Sequence, residues 1–204
     1  MSKELGAITP TLKTGSEPFH QRGQSFGFNL VEFWQWSASD LITNTSRGVL
    51  AEFIVAKALG VANGVRYDWG AYDLNFVVGE KTLKIEIKSK AFLQSWEQDK
   101  LELNPLFVVK KSMLLDEDKS RYSGDSKRQA DIYIFALLAE KDKSKIDPLD
   151  LAQWTFFVLP TSVLNSRERS QHSITLNSLK DLPETIEADF TNLKQAVLKI
   201  SGKT

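Results

Sequence analysis

The chain contains no cysteine and only two histidines among its 204 residues. The missing cysteines exclude a disulfide framework and a thiolate zinc site and fit a reducing compartment, so we expect a cytoplasmic protein. No apolar run reaches the length of a membrane span, and the first residues lack the basic and apolar regions of a secretion signal. The charges balance, with 26 Lys and Arg against 26 Asp and Glu, which excludes a global basic field that attracts nucleic acid. Any contact with a phosphate backbone must come from local clusters.

The chain does have enough apolar sequence for one full domain, since 42% of its residues are hydrophobic. We predict a single domain over residues 1–204. Residues 1–24 are rich in Gly, Ser, Thr and Pro and predict a flexible N-terminal arm. Apolar runs at 131–138 and 154–159 predict buried strands. Residues 161–204 are predicted to form a helical C-terminal extension.

Residues 72–88 predict two strands joined by a tight turn. Apolar residues take every second position in both halves, at 74, 76 and 78 and again at 83, 85 and 87. Gly79-Glu80 is a two-residue turn with glycine first, which is typical of type II′. This turn fixes the register, so we expect Asp73 to face Glu86, with Lys88 two residues further along the same face.

This register brings two carboxylates together. Directly opposed residues of paired strands have Cβ atoms roughly 4.5–5.5 Å apart, and like charges at that distance repel each other. Two carboxylate oxygens from neighbouring strands suit a hard divalent ion such as Mg²⁺. A lysine beside that ion can orient a water molecule or neutralise a phosphate. Asp73, Glu86 and Lys88 therefore form a candidate centre for phosphodiester hydrolysis.

The alternative is an ordinary half-exposed hairpin whose outer face carries Lys84, Glu86 and Lys88 as solvated charges. An acidic residue followed two positions later by lysine also occurs at 117–119 and 125–127. Both lie in the polar run 111–128, which predicts a long loop without paired strands. An acidic residue on a preceding helix favours the metal site.

That residue is Glu52, in the clearest helical pattern of the chain. Residues 46–59 have an N-cap candidate in Ser46, an apolar interior, and Gly60 as the C-terminal stop. On the helical wheel Glu52 falls inside an apolar arc, where a charge is costly unless it is paired or neutralised. A core glutamate satisfied by Arg or Lys is the alternative to a share in the metal site.

Together these residues resemble the PD-(D/E)xK, or restriction-endonuclease-like, nuclease superfamily. Asp73, a short spacer and Glu86-Ile87-Lys88 on a strand match its motif, and Glu52 matches its upstream helical glutamate. A tyrosine precedes Asp73 where the motif has proline, which leaves Asp68 as a rival for the first acidic position. The resemblance covers roughly residues 46–160 and is closest to bacterial members of unassigned role.

The resemblance implies an α/β fold with a central mixed β-sheet flanked by helices. It also implies a Mg²⁺-dependent endonuclease, with Mn²⁺ as substitute, that cuts DNA in restriction, defence or repair. A homodimer is implied where one active site per chain must cut two strands. Asp73 and Glu86 would hold the metal together with the Ile87 backbone carbonyl. Lys88 would position the attacking water, and Glu52 would act from the first or an outer coordination shell.

Three further residues are candidates for substrate contact. Lys90 and Gln94 follow the lysine of the motif, where superfamily members often carry more polar and basic residues; a solvated loop is the alternative. Arg128 would add local positive charge if it folds close to the hairpin.

Two other functions stay open. One is a non-catalytic DNA- or protein-binding module that retains the fold with a relic acidic cluster, which the neutral net charge favours. The other is a small-molecule hydrolase that uses the same carboxylates. The sequence offers neither a nucleotide-binding glycine loop nor a nucleophile–histidine pair in its support.

Overall fold

The computed structural model describes residues 8–68, 70–115, 122–168 and 171–202. Contacts within the chain group them into two compact units. One comprises residues up to Ser39 together with Asn63–Tyr67, and the other comprises Asp40–Ala62 and the chain from Asp68 onward. The single domain over residues 1–204 therefore stays a prediction. Among the described helices, none is long and apolar enough to cross a membrane.

The smaller unit is a β-hairpin followed by a helix. Its elements are β1 (Pro18–Gln21), β2 (Gln24–Asn29) and α1 (Leu30–Ala38). Arg22 and Gly23 lie between the strands, and both have positive φ. Because β1 pairs with β2, the last part of the predicted arm is an ordered strand. Asn29 caps α1 through a capping box with Glu32.

The remaining elements belong to the larger unit. They are α2 (Asn44–Leu59), β3 (Leu74–Val78), β4 (Lys81–Ala91), β5 (Leu106–Val108), β6 (Ser112–Leu115), β7 (Tyr122–Lys127), β8 (Ile132–Leu138), β9 (Trp154–Pro160), α3 (Thr161–Ser166), β10 (Ser173–Thr175), α4 (Leu176–Lys180), β11 (Ile186–Ala188) and α5 (Leu193–Ser201).

Five strands form a central sheet in the order β11-β9-β8-β4-β3. β4 and β8 are parallel, and the other neighbours are antiparallel. Alternating side chains give the sheet two covered faces. Ile85 packs with Val55 of α2 and Val197 of α5 on one face, and Phe135 packs with Phe107 on the other. The predicted mixed sheet flanked by helices is confirmed.

The helix that carries Glu52 begins two residues earlier than predicted. Thr43 is its N-cap in place of Ser46, and the Thr43 hydroxyl accepts a hydrogen bond from the Ser46 N–H at 3.4 Å. Gly60 ends the helix with φ at 79°, the left-handed value that a C-terminal glycine adopts without strain.

Two segments differ from the sequence-based expectation. Residues 112–115 and 122–127 of the predicted loop pair as β6 and β7, while 116–121, with the motif at 117–119, lie outside the described residues. The predicted helical extension contributes β11 to the edge of the central sheet and β10 as a partner of β5. Strands of three residues carry too little alternation to be recognised in a sequence.

Candidate active site at the start of the edge strand

The β3–β4 hairpin has the register that the sequence predicts. Leu74 faces Ile85, and Val78 faces Lys81. Gly79 has φ at 61°, as the first central residue of a type II′ turn requires. A slip of one residue would move every side chain of β4 to the other face of the sheet, so this turn decides where the acidic residues lie.

Asp73 immediately precedes β3 and is tied to β4 through its backbone and its side chain. Its N–H donates to the Ile85 carbonyl oxygen at 3.0 Å. Its Oδ2 accepts a hydrogen bond from the Ile87 N–H at 2.6 Å. The carboxylate thus takes the place of a β3 carbonyl beyond the end of the strand. Because the N–H and C=O of one strand residue point to the same side, the Ile87 carbonyl is directed to the Asp73 side of β4.

Glu86 and Lys88 lie two residues apart on one face of β4. The Lys88 Nζ is 2.5 Å from Glu86 Oε1. Their side chains are 18% exposed for Glu86 and 34% exposed for Lys88. The ion pair is therefore partly withdrawn from water and remains open to a ligand.

The charges of these residues converge on Asp73. Its pKa is raised to about 7, first by burial and then by the negative charges of Glu86 and Glu52. The hydrogen bond from the Ile87 N–H and the positive charge of Lys88 lower it in part. The structure thus brings all four predicted catalytic residues into one electrostatic cluster.

The cluster forms at the edge of the sheet, where two faces meet. Ile87 packs with α2 on one face, so strand alternation directs Glu86 and Lys88 to the opposite face. Glu52 comes from α2 and is half-buried. Asp73 lies at the start of β3, which is the edge strand. The charges of Glu86 on one face and of Glu52 on the other therefore both raise its pKa.

The oxygen donors of this edge fit a hard divalent cation. A cation between Asp73 and Glu86 would relieve the repulsion that raises the Asp73 pKa. Over the ranges that the structure describes, no group of three or more His, Asp and Glu side chains is arranged to hold a metal ion. The fit therefore rests on two carboxylates and the Ile87 carbonyl, with water or substrate in the other positions. Glu52 adds negative charge that raises the pKa of Asp73.

Lys90 and Gln94 lie further along β4 and beyond its end. Both line a cavity of about 520 Å³. Gln94 is 7% exposed, and its amide accepts a hydrogen bond from Arg47 and donates one to the Ala91 carbonyl. Gln94 therefore supports the cavity wall, whereas Lys90 is partly exposed and can meet a substrate.

Arg128 is engaged within the protein instead of facing a substrate. It is 6% exposed. Its Nε donates to the Val109 carbonyl at 2.8 Å, its Nη1 to Asn165 Oδ1 at 2.7 Å and its Nη2 to the Gln171 carbonyl at 2.6 Å. These contacts join the chain after β5, helix α3 and the chain before β10. They give Arg128 a structural role, and its predicted contact with substrate stays a prediction.

Tyr133 is a neighbour of the site that the sequence does not reveal. The parallel register of β4 and β8 pairs it with Glu86, and it is buried. Burial raises the pKa of Tyr133 to about 12, and the charge of Glu86 acts in the same direction, so a neutral phenol lies beside the acidic cluster. The sequence shows Tyr133 only as a tyrosine within an apolar strand. No sequence spacing indicates that it lies beside Glu86, because the two residues are on strands far apart in the chain.

Comparison with known families decides the class of protein. A family model described as bacteriophage T4 endonuclease IV matches residues 29–178, well over half of the chain. The chain belongs to this family. The matched segment includes Glu52, Asp73, Glu86 and Lys88, so the whole cluster lies in the matched part of the chain.

Other comparisons add little to this assignment. A solved structure of a bacterial homing endonuclease, I-Ssp6803I, is similar with a TM-score of 0.36 and 18% sequence identity, over 79% of this chain and 93% of that one. No curated protein sequence matches the chain. Membership of the T4 endonuclease IV family therefore rests on the family match alone.

The raised Asp73 pKa makes the stability of this endonuclease-family chain depend on pH when no metal is bound. The folded chain keeps a proton on Asp73 up to about pH 7, whereas the unfolded chain releases it near 3.8. The stabilisation is therefore present at low pH and is lost as the pH rises through 7. In EDTA we expect the free energy of unfolding to fall by about 1–2 kcal/mol from about pH 5.5 to about pH 8, a value reduced because Asp73 is partly exposed.

Thermal unfolding of the wild type beside Asp73→Asn measures this effect, because the asparagine mimics the neutral acid at every pH. The asparagine variant should be the more stable protein at both pH values, and its advantage should grow by about 1–2 kcal/mol from about pH 5.5 to about pH 8. An equal difference between them at both pH values would contradict the assignment.

Proposed function

We propose that this family member is a divalent-metal-dependent endonuclease that hydrolyses DNA phosphodiester bonds at a PD-(D/E)xK-type centre, with Mg²⁺ or Mn²⁺. The observation that carries the proposal is the end of the hairpin, where Asp73 is bonded to the Ile87 N–H beside the Glu86–Lys88 pair. The family description supports endonuclease chemistry. DNA is the substrate that we infer from that description.

Asp73 and Glu86 would hold the cation, together with the Ile87 carbonyl. When bound, a divalent cation supplies Lewis-acid stabilisation to the phosphate and lowers the pKa of water. The hydrogen bond between Asp73 Oδ2 and the Ile87 N–H fixes the carboxylate and leaves Oδ1 for coordination. This positioning is done by the sheet before any ligand arrives, which avoids the cost of ordering the site at the time of reaction.

Lys88 would act directly on the reacting groups. Its ammonium can donate hydrogen bonds to the attacking water or to a phosphate oxygen, and the contact with Glu86 at 2.5 Å holds it at the site. Glu52 adds negative charge at Asp73 and so strengthens the attraction for a cation. Tyr133 fills the space beside Glu86 without adding charge.

Replacing Lys88 with alanine tests these roles. We expect DNA cleavage to fall about 10²-fold, because the group that positions water or phosphate is lost. Mn²⁺ binding should persist, because both carboxylates remain. Plasmid nicking and titration calorimetry on the same preparations measure the two properties. Lys84→Ala is the matched control, since Lys84 lies on the same strand and face but is exposed, and it should cut like the wild type.

A non-catalytic DNA- or protein-binding module is the second candidate. The absence of a three-residue metal group within the described ranges favours it. It predicts that the wild type shows no Mn²⁺ binding dependent on Asp73 and Glu86, and that no DNA is cut in Mg²⁺ or Mn²⁺. For the Lys88→Ala test, cleavage at the wild-type rate would show that Lys88 has no role in the mechanism and would leave the proposed metal site unaffected.

A further inference from the structure

The strand that carries Glu86 and Lys88 ends beside the cavity of about 520 Å³. Lys90, Asn44 and Gln94 contribute to its lining. Strand alternation puts Lys90 on the same face as Lys88, roughly 7 Å further along β4. The cavity therefore adjoins the candidate active site, at a distance that an adjacent nucleotide of a bound strand can span.

A buried arginine holds the wall of this cavity. Arg47 is 1% exposed, and it donates to Asn44 Oδ1 at 2.6 Å, to Gln94 Oε1 at 3.4 Å and to the Ile42 carbonyl at 2.6 Å. Its Nε has no hydrogen-bond partner in the described part of the chain. Burial lowers the pKa of Arg47, and the charge of Glu102 raises it in part. A buried cation is costly, and its effect here is to fix the orientation of two amides that face the cavity.

A loop that contributes to the same lining is held by specific hydrogen bonds. The Gln94 N–H donates to Gln98 Oε1 at 2.6 Å, and Gln98 Nε2 donates to the Phe92 carbonyl at 3.4 Å. Lys143 Nζ donates to the Trp96 carbonyl at 2.6 Å. These bonds hold Gln94, Gln98 and the Trp96 backbone in place without a ligand.

The lining combines an aromatic ring with hydrogen-bonding groups of both kinds. Trp96, which is 52% exposed, lies beside amides and beside the carboxylates of Glu97, Asp99 and Glu102. The lining also contains Lys90 and Lys100, but its three carboxylates outnumber them and disfavour a phosphate inside the cavity. The polar lining also disfavours a purely apolar ligand. A nucleobase fits this lining, because it stacks on aromatic rings and carries both donors and acceptors on its edge.

We propose that the cavity binds one unstacked nucleobase of the DNA strand, next to the bond that the candidate active site would cut. The inference rests on the proposed function, since the same strand supplies the base and the phosphate. Trp96 stacks on the base, and the exposed Asn44 amide, which is oriented by Arg47, meets its edge. Lys90, between cavity and site, contacts the intervening phosphate.

Binding of fluorescein-labelled single-stranded oligonucleotides in EDTA tests this site without cleavage. We expect Trp96→Ala to weaken binding about tenfold, because one stacking contact is lost, and Trp96→Phe to recover most of the affinity. Leu103→Ala is the matched control, since Leu103 is 51% exposed in the same loop region and does not line the cavity. It should bind like the wild type.

A second series replaces one base at a time with an abasic residue. In the wild type one position should weaken binding about tenfold, and the same replacement should have no effect in Trp96→Ala. This arm needs only the wild type if a variant fails to fold. A phosphate site would instead leave all abasic oligonucleotides and Trp96→Ala binding normally, which would overturn the proposal.

The outcomes separate this proposal from the nuclease activity. Cleavage in Mg²⁺ without any Trp96-dependent or base-dependent binding would overturn the base site and leave the proposed function intact. Base-dependent binding that Trp96→Ala removes, in a protein that cuts nothing in Mg²⁺ or Mn²⁺, would support the base site and reject the nuclease.

Discussion

The Asp73→Asn variant is expected to cleave DNA about 10³-fold more slowly than the wild type, with weaker Mn²⁺ binding. Asparagine keeps an oxygen for the Ile87 N–H but carries no charge for a cation. It also removes the repulsion from Glu86 and Glu52, so the fold should be at least as stable as the wild type at neutral pH. Plasmid nicking in Mg²⁺ or Mn²⁺, calorimetry and thermal unfolding on the same preparations measure all three properties.

Asp131→Asn is the matched control for this substitution. The Asp131 Oδ2 accepts the Lys84 N–H at 2.8 Å, which is the same kind of bond to the same strand, outside the acidic cluster. This variant should cut like the wild type. Asp68→Asn tests the rival for the first acidic position. Loss of cleavage in Asp68→Asn with normal cleavage in Asp73→Asn would reverse the assignment.

The second large effect is on stability. Replacing Arg128 with alanine is expected to lower the free energy of unfolding by about 3 kcal/mol. The variant leaves the buried Val109 carbonyl and the partly buried Gln171 carbonyl without their donor. Each unsatisfied buried group costs about 1–3 kcal/mol, whereas the exposed Asn165 can bond to water instead. Such a loss is a large part of the stability of a typical domain. Urea unfolding measures it.

Two further variants separate a structural Arg128 from a DNA contact. Arg128→Lys keeps the charge but lacks the planar group that reaches three acceptors, so it should recover little of the lost stability. Lys127→Ala removes a neighbouring exposed charge and should change stability by less than about 0.5 kcal/mol. An Arg128→Ala protein with wild-type stability and weakened DNA binding would restore the role that the sequence suggested.

The hairpin could be predicted from the sequence to the residue because its determinants are local. A two-residue turn with Gly79 first fixes the pairing, and the alternation of apolar residues decides which face is buried. The register from Leu74–Ile85 to Val78–Lys81 follows from these two facts, whereas Asp73 lies before the paired residues and is held to β4 by its bond to the Ile87 N–H. The helix that carries Glu52 can also be predicted from the sequence, because it has an apolar interior and ends at Gly60. Only its start differs, since the N-cap is Thr43 instead of Ser46.

The remaining features depend on contacts between distant parts of the chain. Whether Arg128 and Gln94 face a substrate or the interior is decided by partners such as Gln171 and Arg47, which sequence spacing does not identify. Tyr133 reaches Glu86 through the parallel pairing of β4 with β8. The sequence does not reveal the pairing of β6 with β7, because β6 has only four residues and β7 is polar after Tyr122, so neither strand shows an alternation.

The parallel pairing of β4 with β8 also bears on the order in which the chain folds. The β3–β4 hairpin closes over a two-residue turn, a step that takes about 1–10 μs in small hairpins. The β4–β8 pairing must first close the whole connection from Phe92 to Asp131, and such non-local contacts form late. Asp73 and Glu86 therefore meet before the sheet is complete. Their repulsion opposes an early step of folding, and a cation that bridges them would speed that step.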